Sequence, residues 1–207
     1  MNPLYTADLR LLSEHSTLIG VDEAGRGCLA GPLVCAAVVL DYELIFDKLK
    51  DSKQLSPTVR EELYRLIIDS CATYSIQVMP VEYIDQHNIL NATMEGMRRA
   101  ILALGITQGL CLVDGNRLPP LTASEAKDLQ LRSVVHGDDL HASIAAASIL
   151  AKVYRDQLML ELDKEYPHYG FATHKAYGTK AHLEAIDKYG PCPVHRKSFA
   201  PMKYLQS

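Results

Sequence analysis

Acidic side chains follow three apolar runs that we predict to be β-strands. Asp22 and Glu23 follow the first run, Asp114 follows the second, and Asp138 and Asp139 follow the third. Because a rigid sheet presents loop residues at its strand ends, we expect these carboxylates to converge. Such a cluster repels itself and requires a counter-charge, and hard oxygen ligands favour Mg²⁺ or Mn²⁺ over zinc. The sequence therefore predicts a divalent-metal site.

Each acid taken alone has a simpler interpretation. An aspartate after a strand is often a turn former or a helix cap, and Asp114, followed by Gly-Asn, is typical of a turn. Asp22 and Glu23 carry more weight, because two adjacent charges after an apolar strand are costly unless a cation lies nearby.

The segment Gly25-Arg26-Gly27 offers backbone N–H groups that can closely approach a sugar and a phosphate, with Arg26 available for an anion. A bare G-x-G is equally typical of a hairpin turn. Neither the G-x-G-x-x-G dinucleotide fingerprint nor a phosphate-binding G-K-[ST] sequence is present. The pattern therefore gives no support to a nucleotide cofactor.

The elements that must position these residues follow from apolar periodicity. We predict strands at residues 18–22, 33–40, 73–79, 109–113 and 131–136, and helices at 57–69, 91–104, 144–163 and 180–188. Ser56 before Pro57 is a good helix start. We interpret the polar residues 124–130 as a surface insertion. Without strict βαβ alternation, this order predicts an α/β fold with a mixed sheet flanked by helices, and a boundary near residue 163.

Six separated blocks resemble bacterial ribonuclease HII. They run in order along the chain at residues 20–27 (GVDEAGRG), 51–56 (DSKQLS), 88–94 (NILNATM), 113–116 (VDGN), 146–153 (AASILAKV) and 169–175, which contains YGF and HK. The resemblance covers about residues 18 to 203. It implies a ribonuclease H-like catalytic domain, residues 1–163, and a helical C-terminal substrate-binding extension, residues 164–207, within one structural unit.

The resemblance also implies an activity and its residues. The enzyme would cut the RNA strand of RNA/DNA hybrids and would nick duplex DNA 5′ of single embedded ribonucleotides, leaving 3′-OH and 5′-phosphate ends. It would act as a cytoplasmic monomer in DNA repair. The catalytic residues and ligands of two Mn²⁺ or Mg²⁺ ions would be Asp22, Glu23, Asp114 and Asp138. Substrate contacts would be Gly25, Arg26 and Gly27 at the ribose 2′-OH, Tyr177 at the adjoining deoxyribose and Lys53 near a phosphate.

The chain departs from the family pattern at three positions. Cys28 stands where proline is more usual, and His136 stands where lysine is frequent, which replaces a fixed charge by a titratable one. Ala176 precedes Tyr177 where the family commonly has glycine. If that position requires a positive φ, alanine is strained there.

Three other functions stay open at this point. A phosphatase or another carboxylate-type nuclease would not require a 2′-OH in a duplex. A silent hybrid-binding module would bind substrate in Mg²⁺ without nicking it. A small-molecule binding protein would need an apolar pocket signature, which the sequence lacks.

Net charge is unevenly distributed. The whole chain carries a formal charge of −4, which by itself argues against a nucleic-acid partner. Residues 1–163 contain 14 basic and 22 acidic side chains, whereas residues 164–207 contain 7 and 3. Two divalent ions would offset the four negative charges of the candidate ligands. We therefore expect the basic extension to face nucleic acid.

The remaining titratable residues have ordinary interpretations. Five cysteines without a C-x-x-C pair indicate reduced thiols, and no apolar run reaches the length of a membrane span, so we predict a cytoplasmic protein. We expect His174 and His182 on the surface or in loops. Scattered basic residues are typical of a solvated surface, and we interpret these as such: Lys175, Lys180, Lys188, Arg196, Lys197 and Lys203.

Overall fold

The structure, a computed structural model, describes residues 2–205. The strands are β1 (Leu18–Ala24), β2 (Leu33–Val39), β3 (Thr73–Met79), β4 (Gln108–Asp114) and β5 (Asp128–Val134). The α-helices are α1 (Pro3–Leu12), α2 (Pro57–Ser70), α3 (Val81–Ala103), α4 (Ala123–Ala126), α5 (Ala142–Glu165), α6 (Phe171–His174), α7 (Lys180–Tyr189) and α8 (Met202–Leu205). Short 3₁₀ helices span Ser52–Gln54 and Gly137–Asp139.

The five strands form one mixed sheet in the order β3-β2-β1-β4-β5. Strands β1, β2 and β3 pair antiparallel, whereas β1, β4 and β5 pair parallel. The predicted α/β class and mixed sheet are confirmed. Because β1 and β4 are parallel neighbours, the acids that end them lie at the same edge of the sheet.

Helices cover both faces of this sheet. In β2, Val34, Ala36 and Val38 pack in a core with α5 and α2, while the alternate residues Leu33 and Cys35 pack in a second core with α3. This alternation follows from the two-residue period of a strand. Both faces of β2 are therefore buried, which explains its continuous apolar sequence.

Helix α5 lies very close to β1. A Cβ atom on Gly20 would lie 2.1 Å from the backbone carbon of Ser143, so only glycine permits this approach. The alanines at positions 142, 145, 146 and 147, in the first turns of the helix, are completely buried. The tight contact fixes α5 against the strand that carries Asp22 and Glu23.

Two predicted elements need correction. The helix predicted at 91–104 corresponds to the part of α3 that follows Asn88, whose non-helical backbone (φ 64°, ψ 164°) kinks the element, and the part of α3 before Asn88 was not predicted. The strand predicted at 131–136 lies at Asp128–Val134, so part of the supposed surface insertion belongs to the sheet. Helix α1 was not predicted, although Asn2 caps it and Pro3 begins it.

The C-terminal extension packs against the residues that follow β1. Gly31 N–H donates to the Val194 carbonyl at 2.8 Å, and Ala30 forms an isolated bridge with His195. All five cysteines are free thiols. None of the helices within residues 2–205 combines the length and apolar character needed to cross a membrane.

Candidate active site

Asp22 and Asp114 follow the last backbone pair of two neighbouring parallel strands. That pair of β1 and β4 is Val21 with Val113, and each aspartate is the next residue of its strand. Glu23 is the residue after Asp22 in β1 and occupies the next pairing position of that strand. The parallel pairing therefore brings Asp22 and Asp114 together, and Glu23 lies near enough for its charge to act on Asp22 and for that of Asp114 to act on it.

Asp22 is buried in a repulsive environment. Burial raises the pKa of its carboxyl well above the usual value, and the negative charges of Glu23 and Asp114 raise it further. A hydrogen bond with the Ser148 hydroxyl partly offsets this rise in pKa. A cation near these groups would remove the repulsion.

Glu23 has an internal cationic partner. Burial raises the pKa of the Glu23 carboxyl, while the nearby Arg26 guanidinium acts to lower it. Arg26 Nη1 lies 3.2 Å from Glu23 Oε1, and the Arg26 side chain is half exposed. The Gly-Arg-Gly segment is therefore joined to the carboxylates by the ion pair between Arg26 and Glu23.

The loop after β5 brings Asp138 to the same region. Gly137 N–H donates to Asp114 Oδ1 at 2.7 Å, which places the neighbouring Asp138 next to the end of β4. Burial raises the pKa of the Asp138 carboxyl, against the lowering effect of Lys53, whose Nζ lies 3.1 Å from Asp138 Oδ2. Asp139 points elsewhere and accepts a hydrogen bond from Gln54 at 2.9 Å.

The four carboxylates have the ligand type that a hard divalent cation prefers, although they are not already arranged around one point. Within the part of the chain that the structure describes, no three His, Cys, Asp or Glu side chains are already grouped closely enough to hold a metal ion. Buried, mutually repelling oxygen ligands are nevertheless the donor set that Mg²⁺ and Mn²⁺ prefer. The residues that could hold such ions are Asp22, Glu23, Asp114 and Asp138.

The Gly-Arg-Gly segment forms a turn with two unlike glycines. Gly25 is buried with φ 97°, and a Cβ there would lie 2.0 Å from Arg155 Nε. Gly27 is exposed, and no atom lies within 4 Å of the Cβ it would carry. Gly25 is therefore required by the fold, whereas Gly27 leaves open space at the surface. The departing residue Cys28 is buried behind this turn.

Two buried arginines hold this turn, and the sequence analysis missed both. Arg196 donates to the carbonyls of Gly31 and Arg26, and Arg155 donates to Pro32, Ala30 and Lys175. The prediction of a solvated Arg196 was wrong, since its side chain is fully buried and burial lowers its pKa to about 10. Residues 147, 151 and 155 are spaced four apart and lie on one buried face of α5. This spacing could have predicted from the sequence that Arg155 is buried.

Tyr177 lies beside the same turn. The Leu29 N–H donates to the carbonyl of Ala176 at 2.8 Å, and the Tyr177 ring is nearly half exposed. Lys152 Nζ lies 5.9 Å from the centre of that ring. Ala176 has φ 65°, so this position does require the left-handed conformation that glycine adopts more easily.

Buried histidines support Tyr177 from behind. His182 Nδ1 lies 3.0 Å from the Tyr177 carbonyl, and its Nε2 lies 3.1 Å from Nε2 of His195. The prediction of a surface or loop position was wrong for His182, which is fully buried within α7. Burial lowers the pKa of His195 to about 4 and also lowers the pKa of His182.

Comparisons with known proteins agree with this architecture. The family model described as Ribonuclease HII matches residues 19–202. A protein named Ribonuclease HII from Coxiella burnetii (strain Dugway 5J108-111) is 51% identical over 189 residues, which cover 91% of this chain and 91% of the relative.

Solved structures show the same fold. The ribonuclease H2 from Pyrococcus horikoshii OT3 superimposes with a TM-score of 0.76 at 29% identity, covering 92% of this chain and 97% of that one. Bst-RNase HIII in complex with Mn²⁺ gives a TM-score of 0.67 at 19% identity, over 90% of this chain and 68% of that one. The latter likeness concerns the fold alone.

Proposed function

Because the chain belongs to the ribonuclease HII family and is a ribonuclease H, we propose that it nicks duplex DNA 5′ of single embedded ribonucleotides as well as cutting the RNA strand of hybrids. The observation that carries this proposal is the position of the carboxylates. Asp22 and Asp114 lie side by side on adjacent parallel strands, and the turn at Gly25 follows β1. The proposed phosphodiester-cleaving centre and the proposed sugar-binding turn would therefore share one edge of the sheet.

The four carboxylates are the proposed metal ligands. Asp22 and Asp114 occupy adjacent positions on paired strands, and we assign them as direct or bridging ligands, with Glu23 and Asp138 completing the shells of two Mg²⁺ or Mn²⁺ ions. When bound, such ions activate the attacking water and stabilise the leaving 3′-oxygen. Support comes from the oxygen donor set and from the raised pKa of Asp22. The products would carry 3′-OH and 5′-phosphate ends.

The turn at residues 25–27 is the proposed reader of the ribose. Only the 2′-OH distinguishes RNA from DNA at a given nucleotide, so a backbone that approaches the sugar closely can discriminate between them. Gly27 is exposed and open, and Arg26 is half exposed beside Glu23. The exposed ring of Tyr177 is available to pack on the adjoining deoxyribose.

The wider setting is also a proposal. The partner would be RNA/DNA hybrid or ribonucleotide-containing DNA, approached by the basic extension at residues 164–207. We further propose a monomer that works in the cytoplasm in removing ribonucleotides from DNA.

One assay tests the activity. Purified protein is incubated with a DNA duplex containing one ribonucleotide, beside an all-DNA duplex, with and without Mn²⁺ or Mg²⁺. We expect metal-dependent nicking 5′ of the ribonucleotide only. Asp114→Asn is the matched control, because its amide oxygen can still accept the Gly137 hydrogen bond while the charge is lost. Cleavage of all-DNA duplex, or hybrid binding without nicking, would instead indicate another nuclease or a silent binding module.

A further inference from the structure

Asp8 is a fully buried acid that lies outside the carboxylate cluster. It belongs to α1, the helix that precedes residues 19–202 matched by the family model. Its Oδ1 lies 2.7 Å from Nδ1 of His141, and its Oδ2 accepts hydrogen bonds from the Tyr42 hydroxyl and the Ser143 N–H, both at 2.8 Å.

Two of these partners form the start of α5. His141 is the residue before the helix, and its own side chain makes no capping hydrogen bond. The first N–H groups of a helix need an acceptor from elsewhere. Asp8 supplies that acceptor to Ser143 from a segment 135 residues away in sequence. Helix α1 thus caps α5.

The same start of α5 holds the loop that carries Asp138. The 3₁₀ helix Gly137–Asp139 ends two residues before His141, and the His141 N–H donates to the Gly137 carbonyl at 2.9 Å. The Gly137 N–H in turn binds Asp114. A continuous path of hydrogen bonds therefore joins Asp8 to the end of β4.

Helix α1 also holds the segment that leads to Lys53. The Asn2 side-chain amide donates to the Leu49 carbonyl at 2.8 Å, and the Phe46 N–H donates to the Tyr5 hydroxyl at 3.2 Å. Lys53 follows this segment and forms the ion pair with Asp138. Helix α1 and its capping residue are thus hydrogen-bonded both to the segment that leads to Lys53 and to the start of α5, which follows the Asp138 loop.

We propose that Asp8 is a positioning residue for Asp138, and that α1 is part of the scaffold of the active site. The proposal rests on the proposed function, because Asp138 matters there as a ligand. Asp8 touches no substrate group; it fixes the start of α5 and through it the loop at Gly137. A misplacement of about 1 Å in a supporting segment can lower a rate about 100-fold.

The test compares Asp8→Ala and Asp8→Asn with Glu14→Ala, an exposed acid just beyond α1. For Asp8→Ala we expect kcat per folded molecule to fall about 10- to 100-fold on the ribonucleotide duplex, with KM changed less than about twofold. Substrate contacts at Gly27 and Tyr177 are untouched, which explains the unchanged KM. Glu14→Ala should match the wild type. An unchanged kcat for Asp8→Ala would overturn the proposal.

Mn²⁺ binding to the substrate-free protein provides a readout independent of turnover. We expect Asp8→Ala to weaken Mn²⁺ binding several-fold in the wild-type background and not at all in Asp138→Asn, since Asp8 acts through Asp138. Equal losses in both backgrounds would overturn the proposal. If Asp8→Ala fails to fold, Asp8→Asn takes its place, and an unchanged kcat and Mn²⁺ affinity in that variant would overturn it too.

The two proposals fail in different ways. If the wild type does not nick a ribonucleotide duplex, the proposed function is wrong, while the Mn²⁺ cycle still reports on Asp8 and Asp138. If the wild type nicks and the Asp8 variants nick equally well, only the role of Asp8 is wrong.

Discussion

The Lys53 ammonium lies 3.1 Å from Asp138 Oδ2, although 85 residues separate the two in sequence. The resemblance to ribonuclease HII implied a position of Lys53 near a substrate phosphate, and the structure places its ammonium beside a carboxylate of the cluster. The Lys53 side chain is 79% exposed. Because the Lys53 ammonium stays largely hydrated, its pair with the buried Asp138 carboxylate is weaker than a fully buried ion pair, and Lys53 can exchange Asp138 for another partner.

Lys53→Met should tighten Mn²⁺ binding to the substrate-free protein about two- to five-fold, because it removes a competing cation from Asp138. The same variant should raise KM for the ribonucleotide duplex if Lys53 turns to a phosphate once substrate binds. Calorimetric titration with Mn²⁺ and steady-state nicking measure the two effects. Lys48→Met is the control, since that exposed lysine pairs with Glu62 outside the site. Weaker Mn²⁺ binding by Lys53→Met would contradict the competition.

Asp22→Asn should change how stability depends on pH. Burial and the charges of Glu23 and Asp114 raise the pKa of Asp22 above its usual value of 3.8 in the folded state. The folded protein therefore binds this proton more tightly than the unfolded chain, and stability is lost as pH rises through the folded pKa. We expect the free energy of unfolding of Asp22→Asn, relative to wild type, to increase from pH 4 to pH 8 in the absence of divalent ions.

Denaturant unfolding at several pH values measures this difference. Added Mn²⁺ should reduce it at pH 8, because the ion binds the folded wild type and stabilises it by mass action. Asp128→Asn, an exposed acid at the start of β5, should show no such trend. A difference that is constant with pH would show that Asp22 is not destabilised by its charged neighbours.

Gly25→Ala and Gly27→Ala should separate folding from substrate recognition. At Gly25 a methyl group meets Arg155 and a positive φ, so we expect a loss of about 2–4 kcal/mol of stability. At Gly27 the methyl group meets open space, and stability should change by less than about 0.5 kcal/mol. Gly27→Ala should still raise KM or lower kcat for the ribonucleotide duplex, because the backbone can no longer approach the sugar. Thermal unfolding measures the effect on stability, and nicking assays measure the effect on substrate recognition. Normal nicking by Gly27→Ala would exclude a close approach of the sugar to the backbone at residue 27.

Tyr177→Ala should weaken nicking at a single ribonucleotide about 10-fold or more, since burying a large apolar side chain against the sugar contributes about 1.5–3 kcal/mol. Tyr177→Phe keeps the ring and should stay within about twofold of wild type. Mn²⁺ affinity should be the same in all three proteins, because the half-exposed ring is not a candidate ligand. An equal loss of nicking and Mn²⁺ affinity in Tyr177→Ala would count against a sugar-stacking role.

Local pattern was sufficient for much of this protein. The alternation in β2, the Ser56-Pro57 start of α2 and the acids at the ends of β1 and β4 are all visible in the sequence, because each depends on neighbours within a few residues. The identity and spacing of Asp22, Glu23 and Asp114 determined the kind of site that could form. Ala176 before Tyr177 likewise pointed to a strained position, which its φ of 65° confirms.

Other features were decided by tertiary structure alone. Arg196 and His182 look like surface residues in sequence, yet both are buried, because carbonyls and a second histidine from distant segments satisfy their polar atoms. Asp8 becomes a cap for α5, and Lys53 a partner of Asp138, only when chain folding joins segments 135 and 85 residues apart. Burial of a polar group requires a partner. Periodicity reports which face of an element is apolar, whereas the partner of a buried charge is set by which distant segment packs against it.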